Sequence, residues 1–270
     1  MKITPRHLLT GVVYIFAIIG LFFVIVFVAM RLGLTNSWSG IDRQQETFLT
    51  EMPSKKVWSA SAEWNVFAEA VSKDIPLIKK ASAVADVDPK LITAILAVEQ
   101  LRLFYTERAV YEQIFSPLKI LGVQSQFSWG VMGIKQETAI AVENNLKDKN
   151  SIYYLGKEKE NLLDFKTEDH DTERFERITD EHERYYSYLY SAIYIKELMV
   201  GWEKSGSKID NKPGVIATLF NIGFNNSKPK LNPQIGGAIL DINGTEYTFG
   251  GLAEEIYKSG ELNKILQPHP

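Results

Sequence analysis

Residues Leu8 to Met30 form a run of 23 residues without a single charge. Nothing else in the chain constrains its fold as strongly. At 1.5 Å per residue, a helix of that length crosses the roughly 30 Å hydrocarbon core of a bilayer. A cleaved signal peptide is the competing reading, but its apolar region usually spans about 7–15 residues, and Val28-Ala29-Met30-Arg31 offers no small-x-small cleavage site. Residues 8–30 are therefore read as an uncleaved transmembrane helix. Lys2, Arg6 and the amino terminus precede it, whereas Arg31 and Arg43 behind it are diluted by Asp42 and Glu46. The positive-inside rule then places residues 1–7 in the cytoplasm and the remaining 240 residues outside. The expected protein is a single-pass cytoplasmic membrane protein with an extracytoplasmic, periplasmic-side domain.

Beyond the anchor, residues 31–60 read as a juxtamembrane linker containing Thr35-Asn36-Ser37-Trp38-Ser39-Gly40, and 61–270 as one mainly helical domain. Apolar residues recur at three and four residue spacing from Ala62 to Lys80, with Pro76 as an expected break. In Val87-Asp88-Pro89 the aspartate suits an N-cap and the proline the first helical position, so a helix is expected from there to about Leu103. Glu99 lies four residues after Ile95 and seven after Ile92, on the apolar stripe of that helix. A carboxylate there is expected to be partly desolvated, which raises its pKa and favours a proton-donating form. The structural alternative is an edge-of-stripe glutamate paired with Arg102 or Arg108.

Composition removes other chemistries. The chain contains no Cys, which excludes a thiol nucleophile, a disulfide and a thiolate metal site. Its histidines are His7, His170, His182 and His269, which leaves few ways to build a His-dependent triad or a zinc site. A serine triad would have to recruit His170 or His182 from a charged segment, and without an H-E-x-x-H a solvated face is the favoured role for both over metal binding. A net charge of −3 has the wrong sign for a nucleic-acid footprint. Neither G-x-x-x-x-G-K-[ST] nor G-x-G-x-x-G occurs. No cofactor and no metal are implied.

Three segments carry a resemblance. Gly130-Val131-Met132-Gly133-Ile134-Lys135-Gln136-Glu137-Thr138-Ala139 resembles the G-L-M-Q-I-x-P-x-T-A segment of lysozyme-like lytic transglycosylases, matching at Gly130, Met132, Ile134, Thr138 and Ala139. Ala217-Thr218-Leu219-Phe220-Asn221-Ile222-Gly223 resembles the A-A-Y-N-A-G segment of the same family, and Ala85 to Glu99 resembles its helix ending in the catalytic Glu-Ser pair. The three occur in the family's order across about Ile78 to Gly223. The chain departs from the pattern at Gln100 in place of Ser, Gly133 in place of Gln and Phe220 in place of Tyr.

The resemblance implies a lysozyme-like fold of the soluble lytic transglycosylase and goose-type lysozyme superfamily, acting on peptidoglycan glycan strands. Glu99 would protonate the glycosidic oxygen between N-acetylmuramic acid and N-acetylglucosamine. The substrate's 2-acetamido oxygen would stabilise the sugar cation, and Glu99 would then take the proton of the 6-hydroxyl as the anhydro ring closes. Asn221 and its neighbour Phe220 would contact the N-acetyl sugar, and the turn carrying Gly130, Met132 and Ile134 would bring backbone against the glycan. A hydrolytic muramidase would need a second carboxylate. Glu107, Glu112 and Glu137 are the candidates, with a solvated helix position as their ordinary role.

Residues 147–184 hold 12 acidic and 8 basic residues and so contain the whole net negative charge. They read as a solvent-facing insertion, helical in part, with a lid or a protein-docking surface as its functional alternatives. Helical spacing resumes from Tyr185 to Trp202, where the tyrosines either line a sugar groove or pack the core. Asn243-Gly244 between Ala238–Ile242 and Thr245–Phe249 predicts a two-residue β-hairpin near the C-terminus, followed by a short helix over Leu252 to Leu266. The alternative to an enzyme is a non-catalytic peptidoglycan-binding or scaffold component of an envelope-spanning assembly.

Overall fold

The computed structural model describes residues 14, 17, 20, 21, 24, 56–105, 128–226 and 228–267. Contacts divide the chain into Met1–Gln44 and Gln45–Pro270. In the first unit Tyr14, Ala17, Gly20, Leu21 and Val24 are helical and exposed. No helix among the described residues is long and apolar enough to cross a membrane, and the expected span over 8–30 lies outside them except at these five positions.

The second unit is mainly helical. Its helices are α1 (Ala62–Ser72), α2 (Ile75–Ala85), α3 (Pro89–Tyr105), α4 (Gln136–Lys147), α5 (His170–Thr179), α6 (Tyr185–Lys204), α7 (Pro213–Ile222), α8 (Phe249–Lys258) and α9 (Glu261–Leu266). Two antiparallel strand pairs accompany them: β1 (Ser128–Trp129) with β2 (Ile134–Lys135), and β3 (Ile239–Ile242) with β4 (Thr245–Thr248).

Most boundaries follow local chemistry. Pro76 sits in the first turn of α2, so the expected break falls between α1 and α2. The Ser61 hydroxyl accepts the Trp64 N–H at 3.1 Å and caps α1. At α3 the Asp88 carboxylate accepts the Lys90 N–H at 2.8 Å, satisfying a donor that the helix leaves open. The β3–β4 turn uses positive φ at Asn243 and Gly244, the geometry that the Asn-Gly pair predicts. The expected helix over 252–266 is two helices, separated where Gly260 adopts φ 86°.

Helices α3 and α6 form the interior. From Leu91 to Leu101 every residue of α3 except Gln100 is buried, and α6 is buried nearly all round from Ser187 to Ile195. Such helices are enclosed rather than amphipathic. Glu99 is therefore buried because its whole segment is, not because one stripe faces inward. Helix α6 packs against α2, α4, α5 and α7, and α3 packs against α1, α2, α8 and α9. The folded body begins before residue 61, because Trp58 is fully buried and donates its indole N–H to Glu255 at 2.8 Å.

The charged segment 147–184 is mostly exposed and helical in part, and it is anchored at a few points: Leu163, Arg174, Arg177 and Ile178 are buried, and α5 packs on α6 and β1. The Arg174 guanidinium donates to both Glu143 oxygens, each at 2.7 Å, and Tyr190 donates to the same carboxylate at 2.6 Å. Arg177 donates to the Asp164 carbonyl at 2.8 Å and lies over the rings of Phe165 and Tyr186. Its arginines are paired inward, and paired charge can be buried where solitary charge cannot.

Candidate active site around Glu99

Glu99 projects from the C-terminal half of α3 and is 3% exposed. Its Oε2 accepts two N–H groups of Arg102, from Nη2 at 2.6 Å and from Nε at 3.2 Å. Of the two arginines expected as structural partners, Arg102 is engaged; Arg108 lies outside the described residues.

The Gly130–Gly133 turn lies against this carboxylate. Both glycines adopt positive φ, 63° and 64°, and the Gly133 N–H donates to the Gly130 carbonyl at 3.3 Å. A Cβ on Gly133 would stand 2.9 Å from Glu99 Oε2 and 3.0 Å from its Cδ. Glycine is favoured at residue 133 for two independent reasons, the backbone angle and the closeness of the carboxylate. On the far side of the turn, a Cβ on Gly130 would collide with the Ile178 carbonyl of α5 and lie 2.8 Å from the Ser187 hydroxyl. That small residue serves packing between the turn and the charged segment. Between the glycines, the Val131 carbonyl accepts the Gln100 side-chain amide at 2.6 Å.

The structure thus unites Glu99 with the Gly130–Ile134 segment. Met132 and Ile134 are buried and anchor the turn from beneath rather than presenting their side chains at its surface. Asn221 stands at the end of α7, where its Oδ1 accepts the Ala238 N–H at 2.9 Å and fixes the loop entering β3. No hydrogen bond joins Asn221 to Glu99 among the described residues. Phe220 faces inward, with its ring 5.1 Å from that of Tyr194. Tyr188, Tyr190 and Tyr194 are core residues, which decides between the groove and packing roles for those three. Glu137 is exposed in the first turn of α4, and Glu107 and Glu112 lie outside the described residues.

Sequence reasoning missed a second buried carboxyl, Glu197. It is fully buried in α6, accepts the Asn145 amide at 3.1 Å through Oε2, and has no partner for Oε1. Burial pushes its carboxyl well above the usual range, against the opposing Asn145 bond. Tyr153 packs on Phe224 nearby, and burial followed by the Glu197 charge pushes its phenol up. The available signal was a glutamate three residues after Tyr194 and four before Gly201, whose missing side chain admits the Tyr153 ring.

Among the described residues no group of three or more His, Asp or Glu could hold a metal ion. His170 instead stacks on Phe165 with ring centroids 4.3 Å apart. The chain matches no protein-family model, no curated protein and no solved structure.

Proposed function

We propose that this protein is a membrane-anchored peptidoglycan lytic transglycosylase of lysozyme-like fold, with Glu99 as general acid and base. The observation that carries the reading is that two of the three segments carrying the resemblance meet, with the Gly130–Ile134 turn lying against the Glu99 carboxylate. A glycine there leaves backbone, not a side chain, against the carboxylate. In the proposed reaction Glu99 donates its proton to the glycosidic oxygen and the bond to the sugar C1 breaks. The 2-acetamido oxygen of the same sugar stabilises the cation at C1. Glu99 then takes the 6-hydroxyl proton as that oxygen closes on C1. No water is consumed and the proton count balances, so one carboxyl suffices where most glycosidases need two.

Asn221 fits the role of sugar contact. Its Oδ1 is held by the Ala238 N–H, which turns the amide N–H groups to other acceptors such as an acetamido carbonyl. Membrane attachment rests on the 8–30 run, in which Tyr14, Leu21 and Val24 expose large side chains at three and seven residue spacing. An apolar face of that kind suits lipid.

The Arg102 pair favours a second reading, a non-catalytic peptidoglycan-binding scaffold, because it already engages one oxygen of Glu99. Incubating the detergent-solubilised full chain with purified peptidoglycan separates the two. The enzyme releases anhydro-muropeptides detected by mass spectrometry, and release disappears in Glu99→Gln. Saturable binding without release, unchanged by that substitution, selects the scaffold.

A further inference from the structure

We infer that Gln100 is a positioning residue that holds the Gly130–Gly133 turn against Glu99; this rests on the reading of Glu99 as the reacting carboxyl. Glu99 and Gln100 are consecutive on α3 and so point about 100° apart. One faces Gly133, the other grips Val131, two residues earlier on the same turn. The turn joins the paired strands β1 and β2, so Trp129 and Ile134 fix its ends. Between them its two glycines are the most freely rotating backbone positions available, and one 3.3 Å bond from the Gly133 N–H to the Gly130 carbonyl spans it. The Ser187 hydroxyl, although close to Gly130, has no hydrogen-bond partner. Among the described residues, the 2.6 Å amide bond from Gln100 is the one side-chain hydrogen bond to the 130–133 backbone.

The position of residue 133 relative to the carboxylate is thus held from the neighbouring position on the helix as well as from the paired strand ends. A shift of about 1 Å in such a contact is enough to cost roughly a hundredfold in rate. The donor must also be an amide or another N–H or O–H group, because the Val131 atom that it meets is a carbonyl oxygen. The charged neighbours of Gln100 on its own helix are Glu99 and Arg102, and the turn from Gly130 to Ile134 brings no ionisable side chain.

The test compares the full-length chain with Gln100→Ala and Gln100→Glu in release of anhydro-muropeptides from pH 4 to pH 8. Gln100→Ala is expected to lower turnover at least tenfold with a smaller change in KM, and amide exchange across 128–135 is expected to quicken. Gln100→Glu has the same shape but can donate to Val131 only when protonated. Its turnover relative to the unsubstituted chain is expected to climb as pH falls through the carboxyl range, while the Gln100→Ala ratio stays flat. Unchanged turnover and exchange in Gln100→Ala, or a flat Gln100→Glu ratio, overturns the inference. Absence of release from the unsubstituted chain overturns the transglycosylase reading itself, a result distinguishable from both.

Discussion

Glu99 and Glu197 are both buried carboxyls on the two central helices, yet their surroundings differ in kind. Glu99 has a cation on one oxygen and a glycine turn against it. Glu197 has a neutral amide on one oxygen, nothing on the other, and aromatic rings around its part of the core. Burial alone therefore does not mark a reacting group. What separates them is what lies against each carboxyl: the Arg102 guanidinium and the backbone of the Gly133 turn beside Glu99, the Asn145 amide and aromatic rings beside Glu197.

The sharpest test of that contrast exchanges each carboxyl for its amide. Glu99→Gln is expected to reduce anhydro-muropeptide release by about 10²–10⁴, the usual contribution of acid–base catalysis, and to lower the thermal midpoint because it leaves Arg102 without its carboxylate. Glu197→Gln is expected to leave release unaltered; equal losses in both would erase the distinction. Next in size, Arg102→Ala turns Glu99 into a second uncompensated buried carboxyl. It is expected to cost about 2–3 kcal/mol in urea unfolding at neutral pH, somewhat below the loss for a fully buried pair because Arg102 is partly exposed.

Gly133→Ala is expected to destabilise by about 1–3 kcal/mol, since it adds a methyl group 2.9 Å from Oε2 to an already positive φ. Gly206→Ala is the control: φ is 83° there with nothing within 4 Å of the added Cβ, so about 1 kcal/mol of backbone strain is all it should show. Equal losses at the two glycines would mean that the contact with Glu99 contributes nothing.

The smallest effect is a slope in pH. Unfolded, Glu197 ionises near the ordinary glutamate value of about 4.3, while the folded chain keeps its proton to higher pH. Between these values the unfolded chain binds fewer protons, so this residue makes stability fall as pH rises, by at most about 1.4 kcal/mol per pH unit, until the folded group also ionises. Glu197→Gln should remove that slope from urea midpoints measured between pH 5 and pH 8. An unchanged slope would show that Glu197 is already ionised in the fold.

Much of the helical framework was legible because its signals are local. Asp88-Pro89 marks the start of α3, Pro76 divides α1 from α2, and Asn243-Gly244 turns the hairpin, each through backbone chemistry within a few residues. The same locality hides what anchors 147–184. Twelve acids and eight bases in 38 residues read as solvent-facing, and most of the segment is exposed, but the buried Arg174 pairs with Glu143, which precedes the segment and also meets Tyr190. Phe220 and Met132 were assigned to a sugar site from motif position alone, and their side chains face the core.

The sequence by itself determined the apolar run at 8–30, the absence of thiol chemistry, the helical character of the domain and the presence of Glu99 among apolar neighbours. Only the tertiary structure decided that Gly133 lies on that carboxylate, that Arg102 rather than open solvent meets its oxygen, that Gln100 reaches Val131 31 positions away, and that Glu197 is buried without a cation. The division has a physical cause. Caps, breaks and turns are fixed by interactions within a turn or two of backbone, whereas the environment of a charge is fixed by whatever distant segment packs over it.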